Sequence, residues 1–239
     1  MRIRSQVIPF LVASVLICAV VWGVLAIVPF KGPVALSVAL GLFAVMSLYL
    51  LWFFRDPVRI PPADPNAILS GADGVVAKIV TFTPSQFDSI TMLAGLHRKD
   101  IYRLKKKGDI LRISIFLSLF DVHVNRIPIS GKSRFLGYFP GKHLFTFEEK
   151  SSDVNQHNSI LIENKKISCL VNQIVGPLCR RVVYWLDHKH PTTVKAGDDF
   201  GMMKFGSRMD IYFPAASIEV LVKEGDRVKA GVSIIGRYR

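Results

Sequence analysis

The sequence predicts an α+β protein: a mostly-β soluble domain with a few helices, preceded by an N-terminal transmembrane helical hairpin. Two long uncharged runs occupy the first part of the chain. After them, short runs rich in β-branched residues alternate with turn signals such as Gly108-Asp109 and Asn164-Lys165-Lys166, a pattern typical of strands and hairpins. The length of 239 residues suffices for one soluble domain together with a membrane anchor.

The uncharged runs cover residues 7–30 and 32–54, and about 20 apolar residues are enough for a helix to cross a bilayer. Lys31-Gly32-Pro33 separates them, and a proline fits the first turn of a helix. We therefore expect a membrane anchor over residues 1–54, with helices at about 7–30 and 33–54. A cleaved signal peptide would need one short apolar core and a small-residue cleavage site, which two long runs do not provide. A re-entrant hairpin is the other alternative.

Basic residues flank the hairpin at both ends: Arg2 and Arg4 precede it, Arg55 and Arg59 follow it, and Lys31 stands alone at the tip. The positive-inside rule then places both ends in the cytoplasm. Lys and Arg outnumber Asp and Glu by 31 to 18, a net charge of +13, which favours polyanionic partners. Since no Lys/Arg run is interleaved with aromatic residues, we expect anionic membrane lipid and no nucleic acid. The predicted location is the cell (inner) membrane, with the soluble domain on the cytoplasmic side.

The soluble domain is expected over residues 55–239. Four prolines near its start indicate an extended linker, because each disfavours a helical conformation in the residue before it; they are Pro57, Pro61, Pro62 and Pro65. Strands are predicted at Val75–Thr81, Ile110–Phe116, Ser159–Glu163 and Ile167–Val171. A helix is predicted at Val175–Trp185, opened by Gly176-Pro177.

The three cysteines, Cys18, Cys169 and Cys179, are odd in number and lack CxxC spacing. This argues against a disulfide framework and against a zinc site. They are expected to be small buried hydrophobic residues, and no metal site is predicted.

Two polar segments follow predicted strands or turns. Ser70-Gly71-Ala72-Asp73-Gly74 places a carboxylate on a turn before a strand, where a plain turn residue is the simpler interpretation. Leu119–Pro128 brings Asp, His, Asn and Arg together after an apolar strand. Its His123 is either structural or a proton-transfer residue, since histidine moves protons near neutral pH.

Two further segments contain glycine beside reactive side chains. In Gly137–His143, Lys142 and His143 are candidates for phosphate contacts, and a solvated basic loop is the alternative. In Lys204–Asp210, Gly206 precedes Ser207. A glycine there lets the chain bend so that the hydroxyl approaches the preceding carbonyl, although most Gly-Ser pairs are ordinary turns.

Taken together and in order, these segments resemble the phosphatidylserine decarboxylase family, in its short bacterial branch. The resemblance covers nearly the whole chain, and its motifs are FFRDP (Phe53–Pro57), ADG (Ala72–Gly74), FDVHVNRIP (Phe120–Pro128), YFPGK (Tyr138–Lys142), FGSR (Phe205–Arg208) and GDRVKAG (Gly225–Gly231). It implies a self-processing enzyme that converts phosphatidylserine to phosphatidylethanolamine and CO₂.

The resemblance implies that Ser207 attacks the Gly206 carbonyl and that the chain divides into residues 1–206 and 207–239, which stay together as a heterodimer. Residue 207 would become a pyruvoyl group, the only cofactor, which forms a Schiff base with the serine amine of the lipid and takes up the electrons released with CO₂. Asp73 matches the family's carboxylate in a Ser–His–Asp arrangement. His123 would assist reprotonation.

The sequence departs from the longer branch of the family at a few positions. That branch carries two histidines three residues apart, whereas here only His123 is present and Arg126 takes the second position. His123 therefore serves both cleavage and protonation, or cleavage uses another base, and Arg126 becomes a candidate for a phosphate contact. Gly71 replaces a usual proline, and Asn155-Gln156-His157 replaces Asn-Glu-Arg, so we assign those three residues no role.

Other functions remain as alternatives at this point. An ether-linked, archaetidylserine-type lipid would suit the same chemistry. A membrane-anchored module without activity would keep Gly206-Ser207 as an ordinary turn. A serine hydrolase using Ser207, His123 and Asp73 would need a GxSxG elbow, which Phe205 and Arg208 do not supply. A homo-oligomer is left open.

Overall fold

The computed structural model describes residues 1–27, 32–93, 96, 99, 101–177 and 182–239. The chain divides into two compact units, residues 1–58 and residues 59–239, and each is described by itself. The mixed α and β composition, with a mostly-β body after two apolar helices, confirms the predicted fold class.

The first unit is a pair of helices, α1 (Ile8–Ile27) and α2 (Gly32–Phe53). Both are long and apolar enough to cross a membrane, and small residues such as Ala35 and Ala39 are buried between them, which allows close helix packing. A two-residue strand before α1, β1 (Arg2–Ile3), pairs with β2 (Arg55–Asp56) after α2. The two ends of the hairpin therefore meet. The tip residue Lys31 lies outside the described residues.

The second unit contains most of the strands. They are β3 (Ala67–Leu69), β4 (Gly74–Phe82), β5 (Ile110–Leu117), β6 (Val124–Arg126), β7 (Gly131–Phe139), β8 (His157–Glu163), β9 (Ser168–Val175), β10 (Val183–Tyr184), β11 (Thr192–Val194), β12 (Asp199–Met202), β13 (Ser207–Pro214), β14 (Ile218–Val220), β15 (Arg227–Val228) and β16 (Ile234–Tyr238). The helices are α3 (Pro84–Leu93), α4 (Tyr102–Lys105) and α5 (Ser151–Val154). The four strands predicted from β-branched runs correspond to β4, β5, β8 and β9.

An eight-stranded antiparallel sheet organises this unit, in the order β11-β7-β8-β9-β13-β5-β4-β15. Strand β13 lies near its middle and pairs along its whole length with β5 and over six residues with β9. Two three-stranded sheets, β10-β12-β6 and β14-β16-β3, accompany it. Ser207 is the first residue of β13, so the sheet places the predicted cleavage point at one end of a central strand.

The alternation of side chains along β13 gives the sheet two different faces. Met209, Ile211 and Phe213 belong to the main hydrophobic core. Between them, Arg208 and Asp210 are buried on the opposite face. Farther along that face, Tyr212 packs in a second apolar cluster that includes residues of α3 and α4. The opposite face is therefore polar near Ser207 and apolar near Pro214.

The helix predicted at Val175–Trp185 is wrong where the structure describes it. Val175 is the last residue of β9, and Val183 and Tyr184 form β10, which pairs with Met202 and Gly201. Gly176-Pro177 ends a strand here and does not open a helix. Residues 178–181, including Cys179, lie outside the described residues. Cys18 and Cys169 are buried free thiols, as expected for small hydrophobic residues.

Candidate active site

Ser207 is fully buried at the start of the central strand. Its backbone pairs with Leu117 on one side and Val175 on the other. Its hydroxyl donates a long hydrogen bond of 3.4 Å to the carbonyl oxygen of Lys204. The sheet thus fixes the Ser207 backbone on both sides, while the segment before it makes a turn.

That turn contains two consecutive residues with left-handed backbone angles. Phe205 has φ of +50° and Gly206 has φ of +72°. Glycine adopts this region without steric cost, but a residue with a side chain pays about 1–2 kcal/mol there. Strain of this kind persists only where the surrounding structure enforces it. The bond between Gly206 and Ser207 therefore lies one residue beyond the strained Phe205.

The carbonyl oxygen of Gly206 faces a neighbouring loop. A methyl group placed on Gly176 would lie 3.0 Å from this oxygen and 3.3 Å from Cγ2 of Thr146. Thr146 is buried, and its segment continues from the predicted Lys142–His143 loop. A side chain at Gly176 would therefore crowd both the Gly206 carbonyl and Thr146.

His123 is fully buried and lies close to the same turn. Its backbone carbonyl accepts a hydrogen bond from the N–H of Met203, 3.2 Å away, three residues before Gly206. Its Nδ1 lies 2.9 Å from the carbonyl oxygen of Asp121. Because a carbonyl only accepts, Nδ1 carries the proton in the neutral ring, and Nε2 is left as the basic nitrogen.

Asp73 lies on the turn before β4 and is held by Arg59. Its two carboxylate oxygens accept hydrogen bonds from the guanidinium at 2.6 Å and 2.7 Å, and the N–H of Ala230 donates a third at 2.8 Å. Strand β5 separates β4 from β13, so the turn that carries Asp73 leads into a strand that is two places away from the strand of Ser207 in the sheet. The structure brings the His123 backbone to the cleavage turn but engages Asp73 elsewhere.

The three predicted phosphate contacts are in two places. Lys142 and His143 lie on the loop that leads to Thr146, and the Lys142 backbone is fixed by bonds to Val154 and Gln156. Arg126 instead donates to the carbonyl oxygen of Gly197 at 3.0 Å. Lys142 and His143 thus share a segment with the residue next to the Gly206 carbonyl, whereas Arg126 is bound to a different loop.

A buried charge cluster beside Ser207 was not anticipated from the sequence. Arg208 donates from Nε to Asp210 at 2.9 Å, and Arg112 of β5 approaches the same carboxylate at 3.9 Å. Glu149 contacts both guanidinium groups. The available signal was Arg208 and Asp210 at alternate positions of one apolar strand sequence and the single Arg112 within another, because such residues mark a strand face that is buried yet polar.

The charges in this cluster shift one another's ionisation. Burial alone would raise the pKa of Asp210, but Arg208 and Arg112 outweigh it and lower the pKa below its usual value. Burial raises the pKa of nearby Asp153, with Arg112 opposing the shift. Burial also lowers the pKa of His157. Asp210 is therefore the permanent anion of the cluster, and ionisation of Asp153 is disfavoured.

Within the described ranges, no group of three or more His, Cys, Asp or Glu side chains is arranged to hold a metal ion. The chemistry that these residues offer is that of a buried hydroxyl directly after a turn that contains the strained Phe205, with a histidine nearby.

Comparison with known proteins identifies a matching family. Residues 46–236 match the family described as phosphatidylserine decarboxylase. A phosphatidylserine decarboxylase proenzyme of Carboxydothermus hydrogenoformans is 39% identical over 201 residues, covering 84% of this chain and 85% of the relative. The proenzyme of Chlorobium chlorochromatii is 37% identical over 228 residues, covering 95% of this chain and 96% of the relative.

The chain belongs to the phosphatidylserine decarboxylase family. The resemblance inferred from the motifs is thereby confirmed. One of the motifs quoted for phosphatidylserine decarboxylases, FDVHVNRIP, is bonded through His123 to Met203, two residues before the FGSR motif. A third, ADG, is joined to the GDRVKAG segment by the bond from Ala230 to Asp73. The motifs of the family thus connect distant parts of the second unit.

Proposed function

We propose that this protein cuts itself between Gly206 and Ser207 and then decarboxylates phosphatidylserine to phosphatidylethanolamine. The observation that carries the proposal is the position of Ser207: buried, first in a central strand, and preceded by two left-handed residues. Membership of a family whose relatives are named as proenzymes supports it. A buried hydroxyl that directly follows this tight turn suits intramolecular attack better than attack on an external substrate.

The cleavage would proceed in balanced steps. A base removes the proton of the Ser207 hydroxyl, its oxygen bonds to the Gly206 carbonyl carbon, and the peptide C–N bond breaks to give an ester. Loss of the α-proton of residue 207 then breaks its Cβ–O bond and releases residues 1–206 with a free carboxylate. Water replaces the amino group that remains, ammonia leaves, and a pyruvoyl group forms at position 207.

His123 is our first candidate for proton transfer. Its Nε2 is the basic nitrogen, and its backbone is bonded to the cleavage turn. Asp73 is the candidate carboxylate by its motif, although in this structure it is engaged by Arg59. Taking part in cleavage would require Asp73 to exchange that partner. A base other than His123 is therefore the alternative for the cleavage step. The replacement of the family's second histidine by Arg126 leads to the same alternative.

Once formed, the pyruvoyl carbonyl would accept the amine of the serine head group and the electron pair released with CO₂. Residues of the chain would exclude water, bind the lipid phosphate and supply the proton. The surrounding sheet excludes water from position 207, whose side chain is fully buried. Lys142 and His143 are proposed to meet the lipid phosphate, with Arg126 as a less direct contact. His123 would hold the proton that replaces the lost CO₂.

A lipid substrate fits the surface around Ser207. Phe120, Phe145 and Phe147 are each more than half exposed. Phe120 lies in the loop after β5, whose last residue pairs with Ser207, and the other two flank Thr146. Aromatic side chains are favoured at the membrane–water interface. We therefore infer that this end of the sheet faces the bilayer.

The apolar helices α1 and α2 would hold the enzyme at the membrane. A diacyl lipid leaves the bilayer only at a cost of about 0.8 kcal/mol per CH₂ group, so the active site has to come to it. Arg2, Arg4, Arg55 and Arg59 favour a cytoplasmic location for both hairpin ends. We accordingly propose residues 1–54 as the anchor and residues 55–239 as the catalytic domain.

The test combines mass spectrometry with an activity assay on the purified full chain. We expect fragments of residues 1–206 and 207–239, the second blocked at its first residue, and CO₂ release from phosphatidylserine vesicles. Ser207→Ala should remain one chain and release no CO₂. An uncut wild-type chain that is fully active would disprove the proposal. Assays with diacyl and ether-linked serine lipids in parallel distinguish the two substrate classes.

A further inference from the structure

Two buried guanidinium groups lie on the sheet face opposite the main core. Arg112 is on β5 and Arg208 on β13, on either side of the paired residues Ser114 and Asp210. Their side chains are only 2% and 1% exposed. Burying one charge is costly unless it is paired, and here two like charges are buried side by side.

Asp210 neutralises only one of them. It is fully buried, accepts from Arg208 Nε at 2.9 Å and lies 3.9 Å from Arg112. The two guanidinium groups and this carboxylate together carry one net positive charge. The Nε atom of Arg112 is also buried without a hydrogen-bond partner. The pair therefore needs a second anion on the side away from Asp210.

Glu149 supplies that anion from outside the sheet. Its carboxylate contacts Arg112 and lies 3.3 Å from Nη2 of Arg208, yet its side chain is 54% exposed. It belongs to no strand or helix; its backbone carbonyl accepts a hydrogen bond from Ser152 of α5, and Arg208 reaches the neighbouring Glu148 carbonyl by a weak bond 3.5 Å long. The second anion is thus the one exposed member of an otherwise buried group.

We propose that Arg112 and Arg208 form the inner receptor for the phosphodiester of the substrate, and that Glu149 is a tethered carboxylate which the phosphodiester displaces. Lys142 and His143 then contact the same phosphodiester from the neighbouring loop. This inference rests on the proposed function, because it assigns a binding role within the same reaction. A phosphodiester carries one negative charge, as Glu149 does, so the exchange keeps the buried cluster neutral. Paired guanidinium groups match the oxygen geometry of phosphate in the same bidentate manner as carboxylate.

The position of the cluster suits the reaction. Arg208 is bonded directly to residue 207, where the reactive carbonyl would form, and only a few bonds separate the amine of the serine head group from its phosphate. Glu149 also lies three residues after Thr146, whose Cγ2 lies close to Gly176, as does the Gly206 carbonyl oxygen. A displacement of this segment that releases Glu149 would open the approach to position 207 as well.

The phosphodiester is a better occupant than the carboxylate of the same head group. A carboxylate held between two guanidinium groups is stabilised as the ion, which would oppose the loss of CO₂ because ground-state stabilisation raises the barrier. The phosphodiester is unchanged by the reaction. Binding it therefore holds the lipid without hindering the chemical step.

The experiment compares Glu149→Gln with Glu148→Gln in the detergent-solubilised full chain. The matched control removes an adjacent exposed carboxylate that belongs to no ion pair in the described part of the chain. We expect Glu149→Gln to lower Tm, because the guanidinium pair loses its anion, and inorganic phosphate to restore it. We expect the KM for phosphatidylserine vesicles to fall about tenfold in this variant, the change that 1.4 kcal/mol produces. Glu148→Gln should show neither effect.

Failure of this inference is distinguishable from failure of the proposed function. If the wild type releases CO₂ but phosphate raises the Tm of Glu149→Gln no more than that of Glu148→Gln, the receptor assignment is wrong and the decarboxylase stands. An unchanged or raised KM in Glu149→Gln would refute it equally. If no variant releases CO₂ yet phosphate selectively restores the Tm of Glu149→Gln, the anion receptor stands and the proposed reaction does not.

Discussion

Arg59 holds Asp73 through both carboxylate oxygens, at 2.6 Å and 2.7 Å, although the two residues are 14 positions apart in the sequence. Both side chains are largely buried. The same guanidinium donates to the carbonyl of Ala230 at 2.9 Å. The ion pair therefore ties the start of the second unit to the turn before β4 and to the C-terminal segment.

Replacing Asp73 by Ala should destabilise the protein strongly. It leaves the Arg59 charge buried without its partner, and such losses amount to about 3–5 kcal/mol. Asp64→Ala is the matched control, because its partner Arg237 is half exposed and exposed pairs contribute about 1 kcal/mol or less. Denaturant unfolding measures both. Equal losses in the two variants would contradict the structural role of the buried pair.

The double variant Arg59→Ala/Asp73→Ala separates stability from cleavage. Removing both charges should recover part of the stability lost in the single variant, because no uncompensated charge remains. A folded chain lacking Asp73 can then be followed for fragment formation on a denaturing gel. Efficient cleavage in this variant would remove Asp73 from the cleavage mechanism.

Releasing the strain before the cleavage point should slow cleavage. Phe205 has φ of +50°, and Phe205→Gly removes the cost of about 1–2 kcal/mol that a side chain adds there. If cleavage relieves this strain, the uncut Phe205→Gly chain starts from a lower free energy than the uncut wild type. Its cleavage rate should then be about tenfold lower per 1.36 kcal/mol of strain removed. A pulse-chase time course measures the rate. Phe205→Leu is the control, since it removes the ring and keeps the strain, and a slowing equal to that of Phe205→Gly would assign the effect to the ring.

Asp153→Asn should stabilise the protein at pH 7. Burial raises the pKa of Asp153, so the folded state binds this proton more tightly than the unfolded state does. Stability then falls as pH rises from the ordinary value of 3.8 through the raised pKa, and above both values the ionised carboxylate is a constant cost. The Tm advantage of the variant should shrink as pH approaches 4. Asp109→Asn, at an exposed position, should change Tm little at either pH.

Replacing Phe145 and Phe147 by Ser should weaken action on vesicles. Burying one such side chain in an apolar environment contributes about 1.5–3 kcal/mol, so the KM for phosphatidylserine vesicles should rise at least about tenfold. The kcat for a short-chain serine lipid below its micelle concentration should be unchanged. Tyr102→Ser removes an exposed aromatic residue on α4 and serves as control. A similar KM increase in the control would show that any lost aromatic group suffices.

The parts of the fold with a strong local signal were predictable from the sequence. The hairpin follows from two uncharged runs, and the long strands follow from β-branched residues between turns. The incorrect prediction of a helix at Val175–Trp185 shows the limit of prediction from local sequence. Gly176-Pro177 suits a strand end as well as a helix start, and β10 exists because Val183 and Tyr184 find partners in β12. Tertiary pairing decided between conformations that the local sequence left open.

Candidate site residues could be named from the motifs, but their contacts could not be predicted from the sequence. Motifs pointed to Ser207, His123 and Asp73. The partners of Asp73, however, are Arg59 and Ala230, which only the tertiary fold brings next to it. The Arg112–Arg208 pair depends on the register between β5 and β13. Register over such sequence distances is fixed by packing of the whole sheet, which no short pattern encodes.

Strand β13 is bonded on both edges and carries Met209, Ile211 and Phe213 into the core. If the chain is cleaved before Ser207, the C-terminal fragment would therefore stay bound, because its dissociation would require the sheet to unfold. The C-terminal fragment would not exchange between protein molecules. An enzyme whose reactive end is spoiled by a side reaction would thus be beyond repair, and the cell could recover the activity only by synthesising the whole polypeptide anew.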